Sequence, residues 1–438
     1  MTTRFVSDKT TTMYKNAIGS SRHGYLIFGD EVTTTGSTNN DRMPIVFRGR
    51  PGFVKKSRLE TTHPLEFYSV DVGQGDATFV VTPAGKKILI DGGLNRRALG
   101  FLVWRYRLDN PANSVDIDLL VLTHADGDHL RGLMPIIKHP QINVKNIIHN
   151  GIAIFDKSAG HETRLGDLDA SKDFLTTRHN DLSDLNALSN ISEDFKDWRT
   201  AVTAEGANYQ AVDTDMGSIN VGDPVVTLEV LGPKRETDGS YKWFGDKAHT
   251  INGHSVVLRL TFDEVSFMLS GDLNIEGAEH LVADPVLASK MSAHVLKCPH
   301  HGSHEFHHSF LENVRPQIST ISSGDTPDHG HPRANFIAAI GLASRSNRPL
   351  VFSTEIAATF VGDGETAAPA EGIAIDGLDF TTTVGNDTAR KRFKLLLPGI
   401  INVRTNGKEL YAFRRVNAGY QWESYGPMDP APKPSIFC

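Results

Sequence analysis

Four side chains that can bind a metal ion lie within six residues of one another in this chain. They are His124, Asp126, Asp128 and His129. The apolar residues 115–122 directly before them predict a buried strand, and ligands this dense at a strand end can converge on one point. Because helical spacing would place His124 and Asp128 on one face and His129 apart from them, we predict a loop that enters a helix. The alternative is an acidic surface loop that caps the next helix.

Histidine or aspartate also stands at the ends of four other predicted strands or hairpins. These residues are Asp91, the pair His254 and Asp272, the pair His300 and His301, and His331 with Arg333 nearby. A predicted hairpin brings its outer ends together, so His254 and Asp272 are expected to be neighbours. Asp91 is expected to accept hydrogen bonds from the ligand loop and to hold it in place. Ligands delivered from several strand ends meet at one edge of a sheet, which predicts a metal site there.

The composition predicts a soluble protein with more than one domain. The chain has 438 residues, 39% of them hydrophobic, which is enough to bury a large core. Its two cysteines, Cys298 and Cys438, lie far apart in the sequence, so a reducing compartment is expected. No apolar run reaches the length of a membrane span and residues 1–18 lack a signal-peptide core, so we expect a cytoplasmic location and no membrane. The net charge of −7 argues against a surface coated in phosphate-binding groups, but leaves local basic patches open.

The start of the chain is polar and threonine-rich, and short β-rich segments follow it. Residues 1–18 are expected to be a flexible arm. Residues 25–32 and 44–59 carry strand and turn signals and contain the pieces FGDEV, FRGRPGFV and KSRL. These pieces resemble those of bacterial SH3-like barrels, so residues 19–62 are predicted to form a small SH3-like β-barrel with a peptide or protein partner. The alternative is a β-hairpin lid on the following domain.

The remaining chain divides into a catalytic domain and a C-terminal extension. Residues 63–355 are predicted to form the catalytic domain. Within it, residues 151–220 carry leucines at helical intervals and predict a helical insertion, which either shapes substrate access or is a purely structural excursion. Residues 356–438 are β-rich and then proline-rich, and they predict an extension that completes or covers a sheet edge, followed by a loose tail.

Six segments carry a family resemblance in their order and spacing. They read SVDVGQGDA, ILIDGG, LTHADGDHLRGL, FMLSGDL, VLKCPHHGS and HGHPR. They resemble the motifs of the metallo-β-lactamase superfamily, and most of all the soluble hydrolase domain of ComEC-type competence proteins, which act in DNA uptake. The resemblance implies an α/β (α+β) fold, an αββα sandwich with a two-metal hydrolytic centre at one edge.

The resemblance also implies a ligand set. His124, Asp126 and His254 would bind the first metal ion, Asp128, His129 and His301 the second, and Asp272 would bridge the two. Many superfamily members have histidine where Asp126 stands, and ComEC-like members often have asparagine where His254 stands. The implied cofactors are two divalent ions, Zn²⁺ first, with Mn²⁺ as a rival because Asp126 adds an oxygen ligand. Sequence alone does not choose firmly between His300 and His301, and we prefer His301 because a glycine follows it.

The chemistry expected of such a centre is hydrolysis. Two divalent ions lower the pKa of a shared water and present hydroxide to phosphorus or to a carbonyl carbon. Asp128 would orient that hydroxide or take its proton, and His300 is kept as a further catalytic candidate. His331 would bind phosphate or protonate the leaving group with Arg333 as a weaker partner, or it is a loop histidine fixed by Pro332.

The substrate expected from the resemblance is a phosphodiester, either nucleic acid or a small or cyclic nucleotide. Two other hypotheses stay open: a metallohydrolase of the same fold that acts on an ester, thioester or lactone, and a non-catalytic binding protein that recruits a partner through the SH3-like domain. Three basic tracts either line a nucleic-acid path or are solvated surface. They are Lys55, Lys56 and Arg58; Arg96, Arg97, Arg105 and Arg107; and Arg390, Lys391, Arg392 and Lys394.

Overall fold

A computed structural model describes residues 1–324, 330–355, 399–415 and 422–431. Residues 2–60 form a seven-stranded antiparallel sheet in the order β3-β2-β6-β5-β4-β1-β7. Its strands are β1 (Thr2–Val6), β2 (Thr10–Tyr14), β3 (Arg22–Ile27), β4 (Glu31–Thr34), β5 (Arg42–Phe47), β6 (Arg50–Lys55) and β7 (Leu59–Glu60). Val6, Met13, Val32 and Val54 lie in a small core of its own. The SH3-like barrel stays a prediction.

The structure differs from the flexible arm expected at residues 1–18. Thr2–Val6 pairs with two other strands of this sheet, and Thr10–Tyr14 pairs with its neighbours on both sides. Val6 and Met13 are fully buried. The threonines that suggested an arm are good strand formers, and the few apolar residues between them point into the core, so the segment folds as sheet.

A nine-stranded sheet follows, in the order β16-β14-β12-β10-β9-β8-β25-β26-β27. Its strands are β8 (Leu65–Ser69), β9 (Thr78–Val81), β10 (Lys87–Ile90), β12 (Leu119–Leu122), β14 (Asn146–His149), β16 (Asn208–Ala211), β25 (Ile401–Thr405), β26 (Leu410–Arg415) and β27 (Trp422–Met428). The four strands from β10 to β16 are parallel to one another, and the others pair antiparallel. Every residue of Leu119–Leu122 is buried, as the apolar run requires when both faces of a sheet are covered.

A seven-stranded sheet faces it, in the order β17-β18-β20-β21-β22-β23-β24. Its strands are β17 (Ser218–Ile219), β18 (Val226–Gly232), β20 (Val257–Phe262), β21 (Val265–Leu269), β22 (Val295–Lys297), β23 (Ile318–Ile321) and β24 (Leu350–Ser353). The strands from β21 to β24 are parallel. Two short ribbons complete the strands: β11 (Val115–Ile117) with β13 (Ile142–Val144), and β15 (Phe174–Leu175) with β19 (Tyr241–Lys242).

Helices cover the outer faces of both large sheets. They are α1 (Arg97–Tyr106), α2 (Gly127–Leu130), α3 (Met134–Ile137), α4 (Leu182–Ala187), α5 (Glu193–Glu205), α6 (Lys247–Gly253), α7 (Ile275–Val282), α8 (Pro285–Lys290), α9 (His308–Val314) and α10 (Ala334–Ala343). Three apolar cores separate the layers: one lies between the sheets, and each of the others joins one sheet to its helices. The predicted αββα sandwich is therefore confirmed. In the described ranges, no helix is both long and apolar enough to cross a membrane.

The expected insertion and extension take a more specific form in the structure. Residues 151–220 hold only two α-helices, α4 and α5, and the segment also supplies β16 to the first large sheet and β17 to the second. The C-terminal strands extend the first sheet, because Ile401–Thr405 pairs antiparallel with Leu65–Ser69. The basic tract at residues 390–394, the rest of residues 356–398 and the expected tail beyond residue 431 lie outside the described residues.

Candidate metal centre

The candidate ligands meet where strands of the two sheets end. His124 and Asp126 lie in the loop after β12, and the short helix α2 carries His129. Asp272 follows β21, and His301 lies in a 3₁₀ turn after β22. The parallel strands of each sheet end at the same edge, so loops far apart in sequence supply one site.

Asp91 organises the ligand loop. Its carboxylate accepts a hydrogen bond from the Thr123 amide (2.9 Å), one from the Thr123 hydroxyl (2.7 Å) and one from His129 Nδ1 (2.8 Å). Its backbone has φ of 58°, in the left-handed region, which turns the chain sharply after β10. The turn that follows needs glycine, because a Cβ on Gly92 would lie 2.4 Å from the Leu133 backbone nitrogen. Asp91 therefore sits where the sequence placed it, behind the ligand loop.

Asp272 is the centre of the cluster. Its Oδ2 lies 3.2 Å from His129 Nε2 and 3.1 Å from His301 Nε2. The outer ring nitrogen of each histidine is already used: His129 Nδ1 faces Asp91, and His301 Nδ1 donates to the Ser322 carbonyl oxygen at 3.0 Å. When each ring loses one proton to a metal ion, those contacts keep the other proton on Nδ1 and leave the Nε2 lone pair pointing inward.

The donor set fits a divalent metal ion. Among the described residues, four overlapping groups of ligand atoms lie within 4.8 Å of one another, and two of them consist only of predicted ligands: His124, His129 and Asp272, and Asp128, His129 and His301. His124 Nε2 is buried and has no hydrogen-bond partner among the described residues. A buried imidazole nitrogen without a partner is costly unless a proton donor or an ion completes it. Imidazole and carboxylate are the ligands that Zn²⁺ and Mn²⁺ take in proteins.

The electrostatics of the cluster favour a cation. Burial would raise the pKa of Asp272, but the neighbouring His129 and His301 hold it well below its usual range. Burial likewise opposes ionisation of Asp128, and contact with His301 and the charge of His129 outweigh it and lower the pKa. Both carboxylates are therefore ionised at neutral pH. In the metal-free protein His129 and His301 balance them, because nearby carboxylates raise the pKa of each ring against the effect of burial. Metal binding must displace those protons.

Asp126 lies at the margin of the cluster. Its Oδ2 is 4.0 Å from His124 Nε2, whereas its Oδ1 pairs with the Lys247 ammonium at 3.0 Å. Asp126 belongs to none of the groups of converging ligand atoms found among the described residues. To bind a metal ion, the Asp126 carboxylate must either keep its ion pair with Lys247 and bind the metal as well, or break that ion pair.

His254 differs from the sequence prediction and does not join the cluster. The hairpin itself is present, with Val257–Phe262 paired to Val265–Leu269. Its outer ends are neighbours, but the contact to Asp272 comes from Ser255, whose hydroxyl accepts the Asp272 amide at 3.1 Å. His254 ends α6, and its ring packs between Tyr241 and Phe244 while Nε2 donates to the Lys242 carbonyl oxygen at 2.7 Å. Because α6 precedes the strand, the ring of His254 packs away from the candidate ligands. The sequence predicted only the strand at this position and not the helix before it.

The remaining candidates form a rim beside His301. The ring of His331 lies 6.2 Å from that of His301 and 5.9 Å from that of His300. His300 has φ of 46°, its Nδ1 is 3.6 Å from Glu305, and it belongs to none of the groups of converging ligand atoms found among the described residues. Arg333 is exposed at the start of α10, and its backbone amide donates to the Gly302 carbonyl oxygen at 2.8 Å. The structure thus brings His301, and not His300, to the carboxylates.

Three residues of the site were not singled out from the sequence. Gln74 Nε2 donates to Asp128 Oδ2 at 3.1 Å. Asp76 is buried and pairs with the ammonium of Lys297, which also donates to the Gly271 carbonyl oxygen at 2.9 Å. Burial lowers the pKa of Lys297 to about 7. The signal was present in the two motifs GQGD and VLKCPHH, where a charged residue interrupts an otherwise apolar or glycine-rich stretch.

The comparisons with known proteins agree with this geometry. Residues 70–324 match the family model described as the metallo-beta-lactamase superfamily. The chain is 23% identical to ComE operon protein 3 of Bacillus subtilis (strain 168) over 280 residues, which are 60% of this chain and 29% of that protein. The chain thus spans less than a third of the length of this curated relative.

Solved structures with similar folds were also found. A putative metal-dependent hydrolase from Parabacteroides distasonis is 13% identical, with a TM-score of 0.32, over 67% of this chain and 97% of the other. CmlA, a diiron beta-hydroxylase from Streptomyces venezuelae, is 12% identical, with a TM-score of 0.35, over 67% and 54%. The family model alone covers more than half of the sequence, and the chain therefore belongs to the metallo-β-lactamase superfamily.

Proposed function

We propose that this protein is a metal-dependent phosphodiesterase or nuclease that works through a two-metal centre. The observation that carries the proposal is the position of Asp272 Oδ2, within 3.2 Å of an imidazole nitrogen from each of two loops. A single carboxylate oxygen between two sets of ligands is what a shared ligand requires. The superfamily membership supports metal-dependent hydrolysis, and the second ion and the phosphodiester substrate are our proposal.

The proposed ligands divide into two groups around Asp272. His124 would hold one ion, with Asp126 as an added ligand if the Lys247 ammonium moves away from it. Asp128, His129 and His301, whose ligand atoms converge, would hold the other. We favour Zn²⁺ because three imidazoles converge, and Mn²⁺ is the rival because aspartates make up the rest. When bound, two divalent ions supply a water of lowered pKa and stabilise charge on the oxygens of the reacting group.

The residues of the chain have separate tasks in the proposed reaction. Asp128 is half-buried and ionised, so its carboxylate can accept a proton from the attacking water or orient that water. Gln74 donates to the same carboxylate and keeps it facing the cluster. His331, stacked near His301, is placed to contact a phosphate oxygen or to protonate the leaving alkoxide.

Cationic groups around the ligands favour a phosphodiester over a neutral ester. The Lys247 side chain is 35% exposed and lies beside Asp126. The rim adds the exposed Arg333. An anionic substrate gains from each of these groups, whereas an uncharged ester or lactone gains little. The ComEC-like motifs point the same way.

The first experiment measures metal content and reaction class. The protein is stripped with a chelator and reloaded with Zn²⁺ or Mn²⁺, and bound metal is counted by mass spectrometry. Turnover of bis-p-nitrophenyl phosphate is compared with turnover of p-nitrophenyl acetate. Asp128→Ala is the blank, and Asp194→Ala is the matched control, because the Asp194 side chain is 40% exposed and pairs with Arg131, which directly follows α2. Two ions per chain and metal-dependent phosphodiester cleavage are expected.

Two results would contradict the proposal. Ester cleavage without phosphodiester cleavage would move the ester, thioester or lactone hydrolase above it. One ion per chain at saturating metal would remove the two-metal centre. If phosphodiester cleavage is found, linear DNA, RNA and cyclic nucleotides compared at the same metal concentration would identify the substrate class.

A further inference from the structure

The outer face of the N-terminal sheet combines aromatic and basic side chains. In the register of the sheet, Tyr14 lies opposite Phe53, and Phe53 lies opposite Pro44, so three rings form a row across β2, β6 and β5. Residues opposite one another on neighbouring strands share a face. The alternate residues Met13, Val54 and Ile45 point the other way into the small core, which fixes this row on the outer face.

Basic groups flank that row. Arg42 lies opposite Lys55 in the register, and its guanidinium carbon is 3.5 Å from the centre of the Tyr14 ring. Arg22 donates to the Tyr25 hydroxyl at 2.7 Å, and Tyr25 is 57% exposed. Aromatic rings and guanidinium planes side by side make surfaces on which nucleobases stack, while the charges attract phosphates. We call these residues the aromatic-basic face.

The charge of the chain is divided unevenly in a way that favours this face. Residues 1–62 contain ten lysines and arginines and five aspartates and glutamates, a formal charge of +5. The whole chain carries −7, so the remaining residues carry −12. By formal charge, a polyanion is therefore attracted more to residues 1–62 than to the rest of the chain taken together. A proline-rich or acidic peptide is the competing occupant, but the surplus of cations beside the exposed Tyr25 and the half-buried Tyr14 and Phe53 matches a polymer with one phosphate per base.

We propose that the aromatic-basic face binds single-stranded nucleic acid and so concentrates a polymeric substrate on the enzyme. The inference rests on the proposed function, because a bound strand becomes a substrate only if phosphodiesters are cleaved. Binding and cleavage are nevertheless separable, since the face belongs to residues 14–55 and the candidate ligands begin at residue 124. A small phosphodiester that cannot reach the face reports on the metal centre alone.

The test is a binding titration in EDTA, which prevents cleavage. A fluorescein-labelled single-stranded oligonucleotide of about 30 nucleotides is long enough for several stacking and phosphate contacts. The variant Arg22→Glu/Lys55→Glu alters two cations of the face. Its matched control is Lys196→Glu/Lys290→Glu, which makes the same change of charge at exposed lysines on α5 and α8. Tyr25→Ala removes an exposed ring without touching the core.

The expected effect follows from counterion release. Each lost phosphate contact lowers the salt slope by roughly 0.7 and weakens binding about fivefold at 0.1 M salt, so the double variant should bind at least about 25-fold more weakly. Tyr25→Ala should weaken binding several-fold with an unchanged salt slope. The control pair should bind like the parent chain, and all variants should hydrolyse bis-p-nitrophenyl phosphate at the parent rate.

Three results would overturn the inference. The parent chain could fail to bind the oligonucleotide, the control pair could lose as much affinity as the face variant, or a proline-rich peptide could bind this face while the oligonucleotide does not. Failure of the proposed function has a different signature: strand binding that depends on the face, with no cleavage of the small phosphodiester in the presence of metal.

Discussion

The sharpest test of the metal centre is a change in Asp91, which is not one of the proposed ligands. Asp91 uses Oδ1 for the Thr123 amide and Oδ2 for both the Thr123 hydroxyl and His129 Nδ1. Asn in its place keeps one acceptor oxygen, which the Thr123 amide requires. The new amide NH₂ then faces the N–H group at His129 Nδ1, and two N–H groups that face each other cannot form a hydrogen bond. His129 must accept there instead, which moves its proton to Nε2, the atom that faces Asp272.

The magnitude of the Asp91→Asn effect follows from that change of tautomer. A protonated Nε2 has no lone pair for a metal ion, so the affinity of the centre for Zn²⁺ should fall by about 10- to 100-fold. One charge-assisted hydrogen bond is also lost, which costs roughly 1.5–3 kcal/mol of the free energy of unfolding in the metal-free protein. The loss of metal affinity should therefore be accompanied by a modest loss of stability.

Two measurements separate these effects. Competition with a chromophoric chelator gives the Zn²⁺ affinity, and urea unfolding in EDTA gives the stability of the metal-free chain. Asp194→Asn serves as the control, because this exposed carboxylate bonds to Arg131 and should alter neither quantity. Unchanged metal affinity in Asp91→Asn, with or without a loss of stability, would refute the argument that Asp91 sets the tautomer of His129.

Four further predictions follow from the same geometry. His301→Ala should abolish stoichiometric metal binding and lower turnover by at least about 100-fold, whereas His300→Ala should keep the metal, as counted by mass spectrometry. His254→Phe should retain full metal content, and loss of an ion would return this residue to the ligand set. His331→Gln should slow the cleavage of phosphodiesters with poor leaving groups much more than the cleavage of p-nitrophenyl phosphodiesters. Equal slowing would show that His331 binds phosphate instead of protonating the leaving group. Burial lowers the pKa of His179 to about 4, below about 6.5 in the unfolded chain, so the unfolded state binds more protons between these values. Stability measured by urea unfolding should be constant above about pH 6.5 and fall by up to roughly 3 kcal/mol toward pH 4, less so in His179→Gln.

Much of the site could be predicted because its geometry is local. The apolar run of β12 and the ligands directly after it fix where the first loop must lie, and the strand before Asp272 does the same for the second. Asp91 was predictable for the same reason, since a carboxylate at the end of a neighbouring parallel strand faces that loop. In each case the side chain and the strand end that positions it are adjacent in sequence.

The failures came where orientation depends on distant packing. Nothing near His254 in the sequence indicates that Tyr241 and Phe244 will enclose its ring. The pairing of Lys247 with Asp126 joins residues 121 positions apart, so the sequence could not show that this carboxylate is already occupied. The N-terminal strands were missed because threonine satisfies both a polar arm and a β-sheet, and only the core behind them decides which one forms.

A buried ionic cluster explains why the N-terminal sheet belongs to the catalytic unit instead of trailing from it. Arg404, on β25, is buried and pairs with Asp30 of the N-terminal sheet at 3.0 Å and with Glu66 of β8 at 3.1 Å. Arg105 of α1 reaches the same Glu66 at 2.8 Å, and stacked rings of Phe28 and Tyr411 lie in an apolar cluster that spans the same two sheets.

Breaking such a cluster is costly, because removing one partner leaves another charge buried without compensation. The loss is about 3–5 kcal/mol of the free energy of unfolding. The N-terminal sheet therefore cannot swing freely on a linker while Arg404 holds Asp30 and Glu66 together. A strand bound on its outer face would be held at a fixed distance from the metal edge. Nucleic-acid strands long enough to span that distance would gain binding free energy from both sites. Shorter strands would gain it only from the metal centre. If the protein cleaves a polymer, KM is therefore expected to fall as the substrate lengthens, while kcat stays unchanged.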